Sequence, residues 1–330
     1  MYRQTDSRIE EGRFVSVRGV DQWITIRGED RCNPALLILA GPGAGMCVLA
    51  PVFAPWERAF TLAQWDQPRA GVTCARHSDQ EPGEYSIARL VQDGLTVSEW
   101  VRRQLGGCRI ALLAFSGGTI VGLHMIKQRP ELFSAYIATG QITHWARQDA
   151  LSYQRVLEKA KQLDDRAAAD ELEAIGPPPY ADTATDAIKS NYCVLFTPAE
   201  SAAFAELARS SVTDPPPDVS FVPPTPRPNK DVRAVATAAY DALRAEIVSF
   251  DAEQLGRDFS VPMIFLQGEL DATTVSSEVE SYAARIRAPY KSYVSIPQAG
   301  HSPWMMRDRY LALLQEHVRP VLTKAFHPRN

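Results

Sequence analysis

The chain has 330 residues, 45% of them hydrophobic, enough to bury a large core in one big domain with an insertion or in two domains. A formal charge of −4 leaves no electrostatic footprint for nucleic acid or for an acidic membrane surface. The polar start "MYRQTDSRIEEGR" lacks the apolar run of a signal peptide, and no stretch approaches the roughly 20 apolar residues that span a bilayer.

The chain opens with "RFVSVRG" (13–19) and "QWITIRG" (22–28), two β-rich runs around "VDQ" that predict an antiparallel hairpin. Strands follow at "ALLILA" (35–40), "FTLAQWD" (60–66), "RIALLAF" (109–115) and "SAYIATG" (134–140). Before the third of these, "YSIARLVQDGLTVSEWVRRQL" repeats apolar residues at helical spacing through Leu90, Val91, Leu95, Val97, Val101 and Leu105. Aliphatic strands alternating with helices predict an α/β fold with a mostly parallel sheet covered on both faces. From about 141 to 257 the chain is helical, charged and alanine-rich, punctuated by "GPPPY", "DPPPD" and "VPPTPRP". Prolines at that density mark rigid turns and extended connectors. The β/α rhythm then returns with "VPMIFLQG" (261–268), a helix over about 275–287, "YKSYVSI" (290–296) and a last helix from Pro303. The expected organisation is an α/β core over 1–140, an inserted all-α cap over 141–257, and the rest of the core over 258–330.

Ser116 sits between an apolar strand and the helical stretch "GGTIVGLHMIKQRP". A serine on so sharp a turn needs small neighbours, and Ala114, Gly117 and Gly118 supply them, alanine replacing the first glycine of G-x-S-x-G. By itself the serine could equally be a helix cap. A serine hydroxyl becomes a nucleophile only when an oriented base takes its proton. "FLQGELDATT" places Asp271 in the loop leaving one strand, and "SIPQAGHSPW" places His301 in the loop leaving the next. Ser302 and Pro303 suit the cap and first position of the following helix. The order Ser, Asp, His, each at the C-terminal end of a parallel strand, points to a catalytic triad. Glu269 is a competing acid that lies less deep in its turn. An oxyanion hole needs backbone N–H donors. Gly117 follows the nucleophile, and Gly41 in "LAGPGAG" (39–45) lies after the first parallel strand, while Pro42 cannot donate.

Cys32, Cys47, Cys74, Cys108 and Cys193 are scattered and form no C-x-x-C pair, which argues against a disulfide framework and a zinc site and fits a reducing cytoplasm. His77, His144, His317 and His327 have no metal-ligand spacing, and His124 reads as core or helix surface. No metal or organic cofactor is expected. Trp145, Tyr153, Tyr180 and Tyr192 could line a pocket or pack a core.

In these settings Ser116, Asp271 and His301 resemble the α/β-hydrolases of the proline iminopeptidase type. "WDQPRAGVT" (65–73) is similar to that family's W-D-Q-R-G-x-G-x-S segment, residues 138–180 to the start of its helical cap, and "YAARIRAPYKSYVSIPQAGHSP" (282–303) to its histidine-bearing end. The resemblance covers nearly the whole chain and implies an α/β-hydrolase fold with a lid and a serine acyl-enzyme mechanism. The chain also departs from the family. Its H-G-G-P-G loop becomes Leu39-Ala40-Gly41-Pro42-Gly43, Pro68 and Arg69 stand where arginine and glycine would, and Gly117 replaces a usual tryptophan. No E-N-H-Y-F-like run supplies a glutamate for a free amine. Glu200, Glu206, Asp231 and Asp241 lie in alanine-rich or proline-flanked contexts that predict solvated positions. The expected substrate is therefore a small acyl ester or lactone, with N-terminal peptides as the alternative. A non-catalytic ligand receptor on the same fold is the reading from another class. The sequence leaves the oligomeric state open.

Overall fold

A computed structural model describes residues 7–77, 83–195, 197, 200–203 and 232–326. The "DPPPD" and "VPPTPRP" connectors, Glu206, Asp231 and His327 lie outside the described residues. The opening hairpin pairs β1 (Ile9–Val17) with β2 (Val20–Gly28) in antiparallel register. Its turn is Arg18-Gly19 rather than the "VDQ" that follows. Both residues have positive φ (51° and 86°), as a two-residue hairpin turn demands, and Gly19 meets that demand without strain.

Six further strands follow: β3 (Ala35–Leu39), β4 (Thr61–Asp66), β5 (Ile110–Phe115), β6 (Phe133–Thr139), β7 (Met263–Gly268) and β8 (Lys291–Ile296). Among the described residues the eight form one sheet in the order β1-β2-β4-β3-β5-β6-β7-β8, parallel from β4 through β8. Every residue of β3 through β7 is buried. Side chains alternate between the two faces of a strand, so an unbroken apolar run feeds two cores. Leu37, Leu112, Tyr136 and Phe265 pack under the helices Ile87–Gln104, Gly118–Gln128 and Ser276–Arg285. Leu36, Leu113, Ile137 and Ile264 pack on the opposite side with Phe53, Trp56, Tyr310 and Leu322. Each fully buried aliphatic side chain contributes on the order of 1.5–3 kcal/mol, so the strand ends are held by a rigid platform.

The C-terminal helix is not continuous from Pro303. A 3₁₀ turn (Pro303–Met305) leads into the helix Arg307–Leu313, a π-helical turn (Leu314–Val318) and the helix Arg319–Phe326. Pro320 has no N–H to give to the ladder, and the Arg319 N–H reaches back to the Leu314 carbonyl instead.

Between β6 and β7 lie the helices Trp145–Gln162, Arg166–Ile175, Thr183–Leu195 and Val232–Val248. The first three share a small core around Tyr153, Val156, Leu172 and Cys193. Tyr153 donates to the Leu172 carbonyl and Tyr180 to the Gly176 carbonyl, Tyr192 pairs with Glu171, and Trp145 packs on the main core. Tyr153 and Tyr192 thus belong to the core of the insertion and Trp145 to the main core. The insertion touches the loop after β7 through Arg155 Nη1, 3.1 Å from the Asp271 carbonyl, and Cys193 Sγ, 3.6 Å from the Ala272 carbonyl.

At the end of β4, the fully buried Asp66 accepts the N–H groups of Met46 (2.8 Å) and Cys47 (3.0 Å) on one oxygen and of Val72 (2.8 Å) on the other. Burial pushes its carboxyl up, against these hydrogen bonds. Gln67 Nε2 donates to the Ala40 carbonyl at 2.9 Å, so the "WDQ" segment ties down the loop that carries Gly41. Asp66→Ala would strand three buried donors, and we expect it to cost at least about 3 kcal/mol. Urea unfolding measures this; a loss below about 1 kcal/mol would show that the donors find other partners.

Candidate active site

Ser116 leaves β5 with φ +50°, a left-handed backbone that non-glycine residues avoid. Its N–H donates to the Thr139 carbonyl at 3.0 Å, and its own carbonyl accepts from the Thr119 amide (2.8 Å) and hydroxyl (2.6 Å). The serine is not a helix cap. Gly117 occupies that position, and no side chain caps the helix. The helix starts against the end of β3: a Cβ on Gly118 would lie 2.4 Å from the Leu39 carbonyl oxygen. Gly41 is drawn alongside, with its Cβ direction 3.6 Å from the Gly117 nitrogen. The two residues expected to stabilise an oxyanion are therefore adjacent to each other, and Gly117 directly follows Ser116.

His301 Nε2 lies 2.8 Å from Ser116 Oγ, and its Nδ1 lies 3.0 Å and 3.2 Å from the two carboxylate oxygens of Asp271. The structure thus brings together three residues separated by up to 185 positions. Asp271 is wholly buried and accepts four further hydrogen bonds, from the amides of Thr273 and Thr274, the Thr274 hydroxyl and Gln267 Nε2, all at 2.7–2.8 Å. Burial opposes its ionisation, but the imidazole and the Thr274 donors outweigh burial and hold its carboxyl below the ordinary carboxylate range. Burial likewise opposes protonation of His301. The Asp271 carboxylate, with a smaller contribution from Glu200, outweighs it and raises the imidazole above its ordinary value. Glu269, the competing acid, is exposed and accepts the Gln298 N–H at 3.1 Å on the outer side of the turn.

Glu200 overturns its sequence reading. It is 2% exposed, not on a solvated face, and its two oxygens accept the N–H groups of Gly300 (2.5 Å) and Ser302 (2.9 Å), on either side of His301. Burial pushes its carboxyl up, against those two hydrogen bonds and the nearby imidazole. The alanine-rich context of Glu200 carries no local signal of a contact one hundred positions away. Ser302 stands at the cap position of the turn Pro303–Met305 with Pro303 as its first residue, as expected, although the serine side chain makes no cap bond. Asp241 is exposed as expected and accepts the Thr183 hydroxyl.

The remaining histidines among the described residues are engaged elsewhere. His124 is half-buried near the Phe250 ring, and burial lowers its pKa. His144 caps the helix Trp145–Gln162, His77 bonds the Asp21 carbonyl, and His317 lies 3.8 Å from Glu316. Among the described residues no cluster of His, Cys, Asp and Glu is arranged to hold a metal ion, and no helix is long and apolar enough to cross a membrane.

No family model matches the sequence. A probable aminopeptidase of Bacillus subtilis, YbaC, is 24% identical over 314 residues, which cover 92% of this chain and 95% of that protein. A proline iminopeptidase-related protein from Thermus thermophilus superposes with a TM-score of 0.66 at 20% identity, over 96% of this chain and 99% of that one. A thermophilic esterase from Thermogutta terrifontis gives a TM-score of 0.54 at 17% identity, over 95% of this chain and 98% of that one. With the mostly parallel sheet and helices on both of its faces, these likenesses show the α/β-hydrolase fold.

The charge arrangement around His301 can be read without substrate. In an NMR titration its ring protons should report a midpoint above the ordinary imidazole value of about 6.5. Asp271→Asn removes the facing negative charge and should lower that midpoint. An unchanged midpoint would mean that the carboxylate does not act on the ring.

Proposed function

We propose that this chain, an α/β-hydrolase by fold, is a serine hydrolase that cleaves small carboxylic esters or lactones through an acyl-enzyme. The carrying observation is a serine in a left-handed turn with its Oγ 2.8 Å from an imidazole nitrogen. On this reading Ser116 Oγ attacks the acyl carbonyl as His301 Nε2 takes its proton. Asp271 accepts from Nδ1–H, fixes the tautomer and stabilises the imidazolium that forms. The N–H groups of Gly41 and Gly117 receive the charge that develops on the carbonyl oxygen. His301 then returns the proton to the leaving alkoxide, and a water activated by the same nitrogen releases the acid. Residues 141–257 act as a cap on a core formed by 1–140 and 258–330. The scattered cysteines, without a C-x-x-C pair, suit a reducing cytoplasm.

Esters come first because an alkoxide leaves with less protonation than an amine. Both oxygens of Glu200 are already engaged by backbone donors, so its charge faces the histidine loop. Two observations favour a second reading, release of N-terminal residues from peptides: Glu200 is a buried carboxylate near His301, and the Bacillus relative is named a probable aminopeptidase. A buried carboxylate can discriminate strongly for an ammonium group.

A fluorophosphonate probe should add once to the folded protein, on Ser116, and Ser116→Ala should lower kcat by several orders of magnitude. Label elsewhere, or none on active protein, would remove the assignment; no label together with no turnover would leave the receptor reading. Since His301 must be neutral to accept a proton and its pKa is raised, kcat/KM for a neutral ester should rise with pH to a plateau, with a midpoint above about 6.5. Short-chain acyl esters should be cleaved with kcat/KM well above that for prolyl- or alanyl-arylamides. Efficient cleavage of a free prolyl-arylamide, abolished by N-acetylation, would replace the ester reading with the peptidase one.

A further inference from the structure

We infer that Glu200 is a positioning residue for His301: a carboxylate from the helical insertion grips the backbone on both sides of the histidine and fixes where its ring meets Ser116. The inference rests on the Ser116–His301 reading above.

β8 ends at Ile296, so the backbone that carries His301 has left the sheet ladder. Leu270 N–H still holds the Ala299 carbonyl at 2.7 Å. Glu200 then takes the next alternate amides, Gly300 on Oε1 and Ser302 on Oε2. A single planar carboxylate holding residues i−1 and i+1 leaves the residue between them little freedom to rotate about its own backbone. The crowding around residue 300 shows how close the insertion comes. A Cβ there would lie 2.5 Å from Thr197 Cγ2 and 2.9 Å from Glu200 Oε2, while the Gly300 carbonyl oxygen lies 1.9 Å from where a Gly268 Cβ would stand. Gly300 is therefore pressed between the end of β7 and the segment bearing Glu200.

The charge has a second consequence. Two carboxylates act on His301, Asp271 directly through Nδ1 and Glu200 through the neighbouring space, whereas Glu269 is turned outward to Gln298. Both favour the imidazolium that forms as Ser116 attacks. A group that merely filled space would supply neither the backbone grip nor the charge.

Glu200→Gln keeps the size but removes the charge and sets an amide NH₂ against one of the two backbone donors. We expect kcat for a neutral ester to fall by about 10- to 100-fold, as for a displaced catalytic group, with KM little changed. The acid limb of kcat/KM should move to lower pH, and fluorophosphonate labelling of Ser116 should slow in proportion. A purely structural role would lower the melting temperature and leave the pH limb in place, which would overturn the inference. A role as ammonium ligand would raise KM for free-amine substrates alone and spare ester turnover, which would also overturn it. Hydrogen exchange on the wild-type protein covers the case of a variant that does not fold: the Gly300 and Ser302 amides should exchange slowly, and rapid exchange would refute the grip. Wild-type protein without label on Ser116 would instead defeat the hydrolase reading itself. Normal labelling of the wild type with an equal rate in Glu200→Gln would defeat only the role of Glu200.

Discussion

The geometry of this site depends on one close approach, that of the Gly118–Gln128 helix to the end of β3. With its first residue against the Leu39 carbonyl, the chain must reverse within Ser116, and it does so at φ +50°. A left-handed serine costs of order 1–3 kcal/mol, and it persists because its surroundings over-determine it. β5 is buried along its full length, the Ser116 amide is fixed to β6 through Thr139, and its carbonyl is held twice by Thr119. Released from any of these, the serine would relax toward an ordinary cap, and its hydroxyl would turn back toward the helix.

That approach also decides what can stand opposite the serine. In a parallel sheet the loops leaving neighbouring strands emerge on one edge, so residues far apart in sequence become neighbours there. Gly41 leaves β3, Ser116 leaves β5, Asp271 leaves β7 and His301 leaves β8. The core therefore places three of the four by strand order alone, and Asp66 and Gln67 at the end of β4 secure the loop of the fourth, Gly41. The helical insertion adds what the sheet cannot, a side chain reaching the histidine loop from above β7.

How much of this the sequence disclosed follows from the range of each interaction. The strands were legible because burial on both faces writes an unbroken aliphatic run, and their ends located Ser116, Asp271 and His301. Bringing these three residues together needed only local position plus strand order. The hairpin turn falls at Arg18-Gly19 and not at "VDQ" because both central residues of the turn need positive φ, which Gly19 meets freely and the β-branched Val20 does not. The π-helical turn before Pro320 was hidden in a pattern that still reads as continuous helix. Glu200 was misjudged for a deeper reason. Its environment is built by Gly300 and Ser302, and nothing in the alanine-rich run around it encodes their distance.

The surroundings of the two carboxylates that act on His301 shift their pKa values in opposite directions. Asp271 is buried, yet four donors besides the imidazole keep it ionised, so its charge is permanent across the neutral range. Glu200 has two backbone donors and burial prevails, raising its carboxyl. A neutral imidazole between a fixed anion and a second, more easily protonated one is poised to become a cation, because protonation of the ring is the change that relieves both. This is the species a general base becomes when it takes the serine proton, so the field favours the charge separation of the proposed attack. The same field sets a limit. It strengthens the base only by making it easier to protonate, so each gain in proton affinity surrenders activity at the acidic edge of the pH range. An insertion that supplies part of the field can therefore set both the reach of the base and the pH at which it works.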